Sequence, residues 1–367
     1  MKHILIIGGY GNFGRFISQT IAKETGIQLT IAGRSAEKAE ALIRELPNDV
    51  PMQSYRLDIR EPLQKHLMHL KPDIVIHTSG PFQKQGYDVA QACIDCGAHY
   101  IDLADGREFV SSIATLNSAA RENDVLVVSG ASSVPGLTSA IVDKYLPEFS
   151  HLESLDYGIT TAQKTTRGLA TTAAILGYTG QPVKTLTAGK PDTIFGWQGL
   201  RIRKYPQLGW RLLGNCDIPD LTLFPERYPG LRNIRFYAGL EIPLIHIALW
   251  LLSWGVRGGL IRNLSGSAPL LLRLSFLFDW LGTANSGFHM QLSGTDHNGD
   301  ARQICFELTA RSGDGPFIPC MPAILLTRKL LTGGLTQRGA QACIGLISLD
   351  EYLNALSELD ISWTVTE

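Results

Sequence analysis

Residues 2–18 read KHILIIGGYGNFGRFIS, and their interpretation decides the fold. The apolar run Ile4–Ile7 suits a strand buried on both faces. It ends in Gly8 and Gly9 and passes through Tyr10, Gly11, Asn12, Phe13 and Gly14 as a helical pattern begins. A strand that turns through glycines into a helix aims backbone N–H groups and a positive helix end at one point. That geometry suits a dinucleotide pyrophosphate. Gly8 and Gly9 allow the tight turn, Gly11 lets the backbone approach the phosphates, and Gly14 lets helix and strand pack closely. The whole loop, Gly8 to Gly14, is the expected cofactor cradle.

The next buried-strand pattern, Gln28 to Ala32, runs into AGRS and tells which dinucleotide is expected. NAD-binding folds place Asp or Glu about twenty residues past the glycines, to accept from the ribose 2′-hydroxyl. This chain offers Gly33, Arg34 and Ser35 instead. Arg34 is always charged and suits a forked contact to a phosphate. Ser35 adds a hydroxyl donor and has the character of an N-cap for the helix AEKAEALIREL. NADP(H) is the expected cofactor.

At 367 residues the chain exceeds one usual core, so two domains are expected. Net charge is −1 and charged residues make up 18 %, a balance that points away from nucleic acid and from a disordered tail. The start, MKHILIIGG, leads into a motif that must be retained, which argues against a signal peptide. Six scattered cysteines form a poor disulfide framework for this length and favour a reduced, cytoplasmic setting. Cys93 and Cys96 form a lone CxxC inside a helical pattern, where helix packing is the expected role and no metal is expected.

Strand and helix patterns alternate through about residue 147, as a doubly wound parallel sheet requires. MQSYRLDI ends at Asp58, where a contact to adenine and an N-cap for the next helix are both open. DIVIHTSGPF ends in Ser79, Gly80, Pro81 and Phe82, placed at a switch point to touch the nicotinamide ribose. HYIDLADGREF places Asp102 and Asp105 past another strand. Both are candidate proton carriers if burial raises their pKa, with a structural acceptor the alternative for Asp102. His77, His246 and His289 read as packed histidines or catalysts.

The series GGYGNFG, AGRS, SGPFQKQG, ACIDCGAHYIDL and GASSVPG, in this order, resembles the saccharopine dehydrogenase-like NADP-binding family. The stretch DGPFIPCMPAILLTRKLLTGGLTQRGAQACIGLISLDEYL resembles the tail of bacterial members. The resemblance implies nicotinamide-dependent hydride chemistry without naming a substrate; the expected reaction moves hydride at a carbon–nitrogen bond of a small molecule, through an imine. Reduction of a carbon–carbon or carbonyl double bond on an apolar or lipid substrate is the rival reading, and a non-catalytic NADP(H) sensor is a third.

The expected fold is α/β: a Rossmann-like domain over 1–147 and an α+β substrate or dimerisation domain over 148–367, with about 319–345 packing back on the first. LESLDYGITTA reads as a strand and GLATTAAILGY as a helix, followed by a long irregular region through GNCDIPDLTLFPERYP. NSGFHMQLSGTD and ARQICFELTAR read as antiparallel strands across an HNGD turn. IPLIHIALWLLSWGV and APLLLRLSFLFDWLG are too interrupted for a transmembrane hairpin. Core helices, a subunit interface and a membrane-facing or lipid-binding patch stay open for them, and a homodimer is the expected assembly. Arg107, Lys164, Arg167 and Arg227 are available as clamps for a substrate carboxylate, though no spacing singles one out. The ion pairs of 216–229 read as loop-stabilising.

Overall fold

The computed structural model describes every residue except Asn48 and Lys84. The chain forms two compact units, one of residues 1–140 with 317–355, the other of 141–316 with 356–367. The first unit thus takes in a carboxy-terminal segment as well as the amino-terminal 140 residues.

The first unit opens with β1 (Lys2–Ile7), α1 (Asn12–Ile21), β2 (Ile27–Gly33), α2 (Ala36–Glu45), β3 (Met52–Arg56), α3 (Gln64–Leu70) and β4 (Ile74–His77). It continues with α4 (Asp88–Asp95), β5 (His99–Asp102), α5 (Arg107–Ser111), α6 (Asn117–Glu122) and β6 (Leu126–Ser129), and α7 (Thr138–Tyr145) crosses into the second unit. Ile4 to Ile7 are wholly buried, as a central parallel strand covered on both faces requires. β1 pairs in parallel with β2 on one side and β4 on the other, which makes the gap between β1 and β4 the topological switch point.

The second unit contains β7 (His151–Thr161), α8 (Leu169–Tyr178), β8 (Pro182–Thr187), β9 (Lys190–Phe195), β10 (Arg201–Tyr205) and β11 (Gly209–Asn215). After these come α9 (Asp220–Arg227), β12 (Asn233–Leu240), α10 (Pro243–Arg257), α11 (Ala268–Ser275), β13 (Ser286–Thr295) and β14 (Ala301–Ala310). The chain then returns to the first unit with α12 (Met321–Leu331), β15 (Gly339–Ala342) and α13 (Leu349–Ala355), and ends with β16 (Ile361–Thr366) in the second.

β15 joins the edge of the first sheet in parallel with β6, giving the order β15-β6-β5-β4-β1-β2-β3. The second sheet is mixed, ordered β10-β11-β12-β7-β13-β14-β16 with β8 and β9 branching from β12. Its β12–β7 pair is parallel and β7–β13 and β13–β14 are antiparallel. The stretch expected to be irregular holds four strands. Their turns use left-handed backbone at Gly189 (φ 76°) and Gly209 (φ 72°), a conformation open to glycine.

Candidate functional site

The loop after β1 is built by close backbone approach. Gly8 takes a φ of 81°, and its amide donates to the Ala32 carbonyl at 2.8 Å, joining the ends of β1 and β2. The Gly11 amide donates back to the Gly8 carbonyl at 2.8 Å, closing the elbow. A Cβ on Gly14 would stand 2.2 Å from the Gly8 carbonyl oxygen, and one on Gly9 would stand 2.9 Å from the Ile31 side chain. These glycines are required by packing. α1 begins at Gly11 with no side chain capping its first turn, so the amides there keep their donor capacity for an anion. The cradle fits a dinucleotide pyrophosphate on geometry alone.

The end of β2 presents Arg34 to solvent. Ser35 is the N-cap of α2, accepting from the Lys38 amide at 3.3 Å, and its hydroxyl donates to Glu37 at 2.6 Å. The Tyr10 hydroxyl accepts from the Ser35 amide at 2.9 Å, and its ring lies over Gly33, where any Cβ would collide. Tyr10 therefore fixes the path of the chain into Arg34. Among the described residues Arg34 has no carboxylate in a salt bridge, although its charge reaches Asp58.

Asp58 does not cap α3, whose N-cap is Leu63. Its carboxylate accepts from the Arg60 amide at 3.1 Å and from the Arg60 guanidinium at 3.0 and 2.5 Å. These bonds hold its pKa down at about 2. The Asp58 carboxylate is thus engaged by Arg60, two residues further on, a guanidinium that sequence reading did not single out.

Beyond β4 the expected ligand loop divides. Ser79, Gly80 and Pro81 are partly or fully exposed, whereas Phe82 is buried against His77 (ring centroids 5.0 Å) and Phe109 (5.4 Å). Phe82 anchors the loop from below and has no free face for a ligand, a correction forced by the direction of its side chain. Gln85 holds the loop from one side, donating to the Ser79 carbonyl at 2.7 Å and the Pro81 carbonyl at 3.0 Å.

Asp102 has the surroundings of a structural acceptor. It is wholly buried, and one carboxylate oxygen accepts from the Ala104 amide (2.9 Å), the Gly130 amide (2.9 Å) and the Ser129 hydroxyl (3.0 Å). It ties the end of β5 to the turn after β6 and touches no surface, so it is a positioning residue. Burial outweighs these donors and lifts its pKa to about 6. Asp105 is exposed and accepts from Gln83 at 3.0 Å, leaving it able to meet a substrate. His77 is a packed histidine: it is wholly buried, its Nδ1 lies 3.0 Å from the Tyr100 hydroxyl, and burial drops its pKa to about 3.

In the second unit one sheet face carries charge. Arg201 pairs with Asp156 and donates to the Tyr237 hydroxyl at 2.8 Å, and Arg203 pairs with Glu307 at 2.7 Å. The Tyr205 hydroxyl lies 2.8 Å from His289 Nδ1. A cavity of about 60 Å³ lies among Asp156, Arg201, Arg203 and His289, too small for a metabolite as it stands. Sequence reading missed this cluster because its members come from four strands. Of the candidate clamps, Arg167 is bound to Asp279 at 2.5 Å and Arg227 to Asp143 at 2.7 Å, while Lys164 is exposed. His246 is buried beside Trp197, with its pKa lowered to about 4 by burial.

Residues 4–128 match the family model described as the saccharopine dehydrogenase NADP binding domain. The matched stretch lies within the first unit and covers about a third of the chain, so this part of the chain is similar to that NADP-binding domain. The chain is 25 % identical over 150 residues to a mouse saccharopine dehydrogenase-like oxidoreductase, across 36 % of this chain and 35 % of that protein. It is 26 % identical over 137 residues to a trans-acting enoyl reductase of Mycobacterium bovis, across 36 % of this chain and 33 % of that protein. The match therefore spans about a third of the length of each relative. Among solved structures, a saccharopine dehydrogenase (L-Glu forming) from Saccharomyces cerevisiae aligns over 100 % of both chains with a TM-score of 0.70 at 14 % identity, a likeness of fold.

Proposed function

We propose that this chain is an NADP(H)-dependent oxidoreductase that moves hydride at a carbon–nitrogen bond of a small-molecule substrate. The observation that carries this reading is the glycine elbow at the switch point together with Arg34 at the end of β2, where a carboxylate would select NAD. The amides of the first turn of α1 would hold the pyrophosphate, and Arg34 would take the 2′-phosphate. Bound in this cradle, the nicotinamide supplies or accepts the hydride. Ser79 to Pro81 would bound its ribose, Asp102 holds the β5 and β6 turns in place, and Asp105 is the exposed carboxylate able to carry a proton. The whole-chain likeness to a saccharopine dehydrogenase supports amine chemistry.

A second reading is reduction of a carbon–carbon or carbonyl double bond on an apolar substrate. It is favoured by the apolar side chains that α10 and α11 leave in solvent, and by the enoyl reductase among the relatives. Purified protein with NADPH, offered paired amino acids and oxo acids in one series and enoyl thioesters in another, separates the two. Oxidation of NADPH with the first series alone is expected. Turnover confined to enoyl substrates would replace the first reading by the second, and tight cofactor binding with no turnover in either would make the protein a sensor.

A further inference from the structure

α10 carries an apolar face that nothing in its own unit covers. Leu244, Ile247, Leu251 and Trp254 recur at helical spacing, and all are exposed, Leu244 at 63 % and Leu251 at 58 %. The opposite face of the same helix buries His246, Leu249, Ser253 and Val256, so the helix is apolar all round. α11 and the 3-10 turn after it repeat the pattern, with Leu277 at 67 % and Trp280 at 77 % exposure.

The loop of residues 258–267 joins the two segments at one end, and at the other Glu241, before α10, accepts from the Thr283 amide at 2.9 Å. Within 41 residues of chain they leave eleven leucine, isoleucine, phenylalanine and tryptophan side chains more than two-fifths exposed, Leu260 in the joining loop among them, a density that scattered surface leucines do not reach.

Charge decides what covers this surface. Between Ile242 and Gly282 the charged residues are Arg257, Arg262, Arg273 and Asp279. Asp279 is spent inside the unit, taking Arg167 at 2.5 Å and Gln163 at 2.9 Å. Arg257 donates to the Gln198 side chain and lies over the Phe195 ring, and Arg262 and Arg273 are exposed with no carboxylate partner among the described residues. A second copy docked here about a two-fold axis would bring the same arginines together without an acid to pair them. An anionic lipid surface supplies both the hydrocarbon for the leucines and the counter-charge, with tryptophans at the boundary. α10 has 15 residues, about 22 Å of helix, and would lie in the interface. No helix among the described residues is long and apolar enough to cross a membrane.

We propose that the α10–α11 pair docks the second unit on anionic phospholipid membranes. This inference is independent of the reaction proposed above. The full chain is sedimented with vesicles of phosphatidylcholine alone or of equimolar phosphatidylcholine and phosphatidylglycerol. Binding to the anionic vesicles is expected, weaker by roughly tenfold or more without phosphatidylglycerol and reduced by salt. The double variant Leu251→Glu/Leu277→Glu, checked for an unchanged circular dichroism spectrum and melting temperature, should lose binding by roughly tenfold or more. Brominated phospholipid should quench tryptophan fluorescence of the unmodified protein, a readout that needs no variant. Absence of both pelleting and quenching would overturn the proposal. So would vesicle binding untouched by the double variant, or a concentration-dependent dimer that the variant abolishes without any lipid binding.

Discussion

The two sheets solve the problem of burying a polar backbone in opposite ways. In the first unit every strand pair is parallel, the central strand β1 has Ile4 to Ile7 wholly buried, and interior polar side chains such as Asp102 are bonded to backbone. In the second unit the sheet is mixed and one face carries a charged network of Asp156, Arg201, Arg203, Glu307 and His289, while its helices leave leucines and tryptophans in water. The first arrangement uses backbone precision to make an anion cradle. The second uses side-chain chemistry spread over distant strands and a greasy exterior. Precision of the first kind fails through a single added methyl group, whereas the second tolerates large changes on its outer face.

The sharpest way to break that contrast is Gly14→Ala. The added methyl stands against the Gly8 carbonyl, and relief requires shifting helix against strand. We expect a loss of about 1–3 kcal/mol in stability and no measurable dinucleotide binding by titration calorimetry, because the overpacked elbow must open. Gly266→Ala in the second unit meets open space and should leave stability within about 0.5 kcal/mol.

Acid titration sharpens the comparison inside the first core. His77 has its pKa lowered from 6.5 to about 3, so the unfolded chain binds more protons below pH 6.5 and stability falls on acidification. Asp102 has its pKa raised from 3.8 to about 6, so the folded chain binds more protons and stability rises as pH falls through that window. From pH 6.5 to 4.5 the two effects are each roughly 2–3 kcal/mol and oppose one another. In urea melts over that range Asp102→Asn should expose the loss from His77, and His77→Gln should expose the gain from Asp102. Parallel pH profiles for both variants and the parent would refute the balance.

Arg34→Ala should weaken NADPH binding by about 1.5–3 kcal/mol, the range for a charge-assisted contact, and leave NADH nearly unchanged. Equal losses for both cofactors would remove Arg34 from the 2′-phosphate. The smallest effect is expected outside: Leu251→Gln changes an exposed side chain and should change the unfolding free energy measured in urea by no more than about 0.5 kcal/mol.

The centre of the first sheet was legible because β1, β4 and β6 hold short apolar runs that end in glycine-containing turns, a pattern local to each element. The glycine elbow and the Ser35 cap were legible for the same reason. Phe82 was misread because position in a loop does not say which way a side chain turns. Asp102 was open because burial, which sequence does not display, decides between acceptor and proton carrier. β9 (Lys190–Phe195) has a proline at its second position and keeps much of its length exposed, so its strand character comes from pairing with β8. β15 is four small or polar residues, GAQA, with no strand signature until β6 lies beside it. The Asp156–Arg201–His289 cluster is non-local throughout.

That late-arriving edge strand has a consequence for how the molecule comes into being. During synthesis the ribosome completes β6 about two hundred residues before β15 emerges, so a nascent first sheet waits with one row of amides and carbonyls bare. A shortened gene product ending near residue 140 would keep that flank permanently unzipped, and would lack the Pro322 ring that Gly136 abuts. Such a fragment should clump when overproduced, even though it contains the whole glycine elbow, and partnership with a separately supplied 317–355 peptide should restore it to solution.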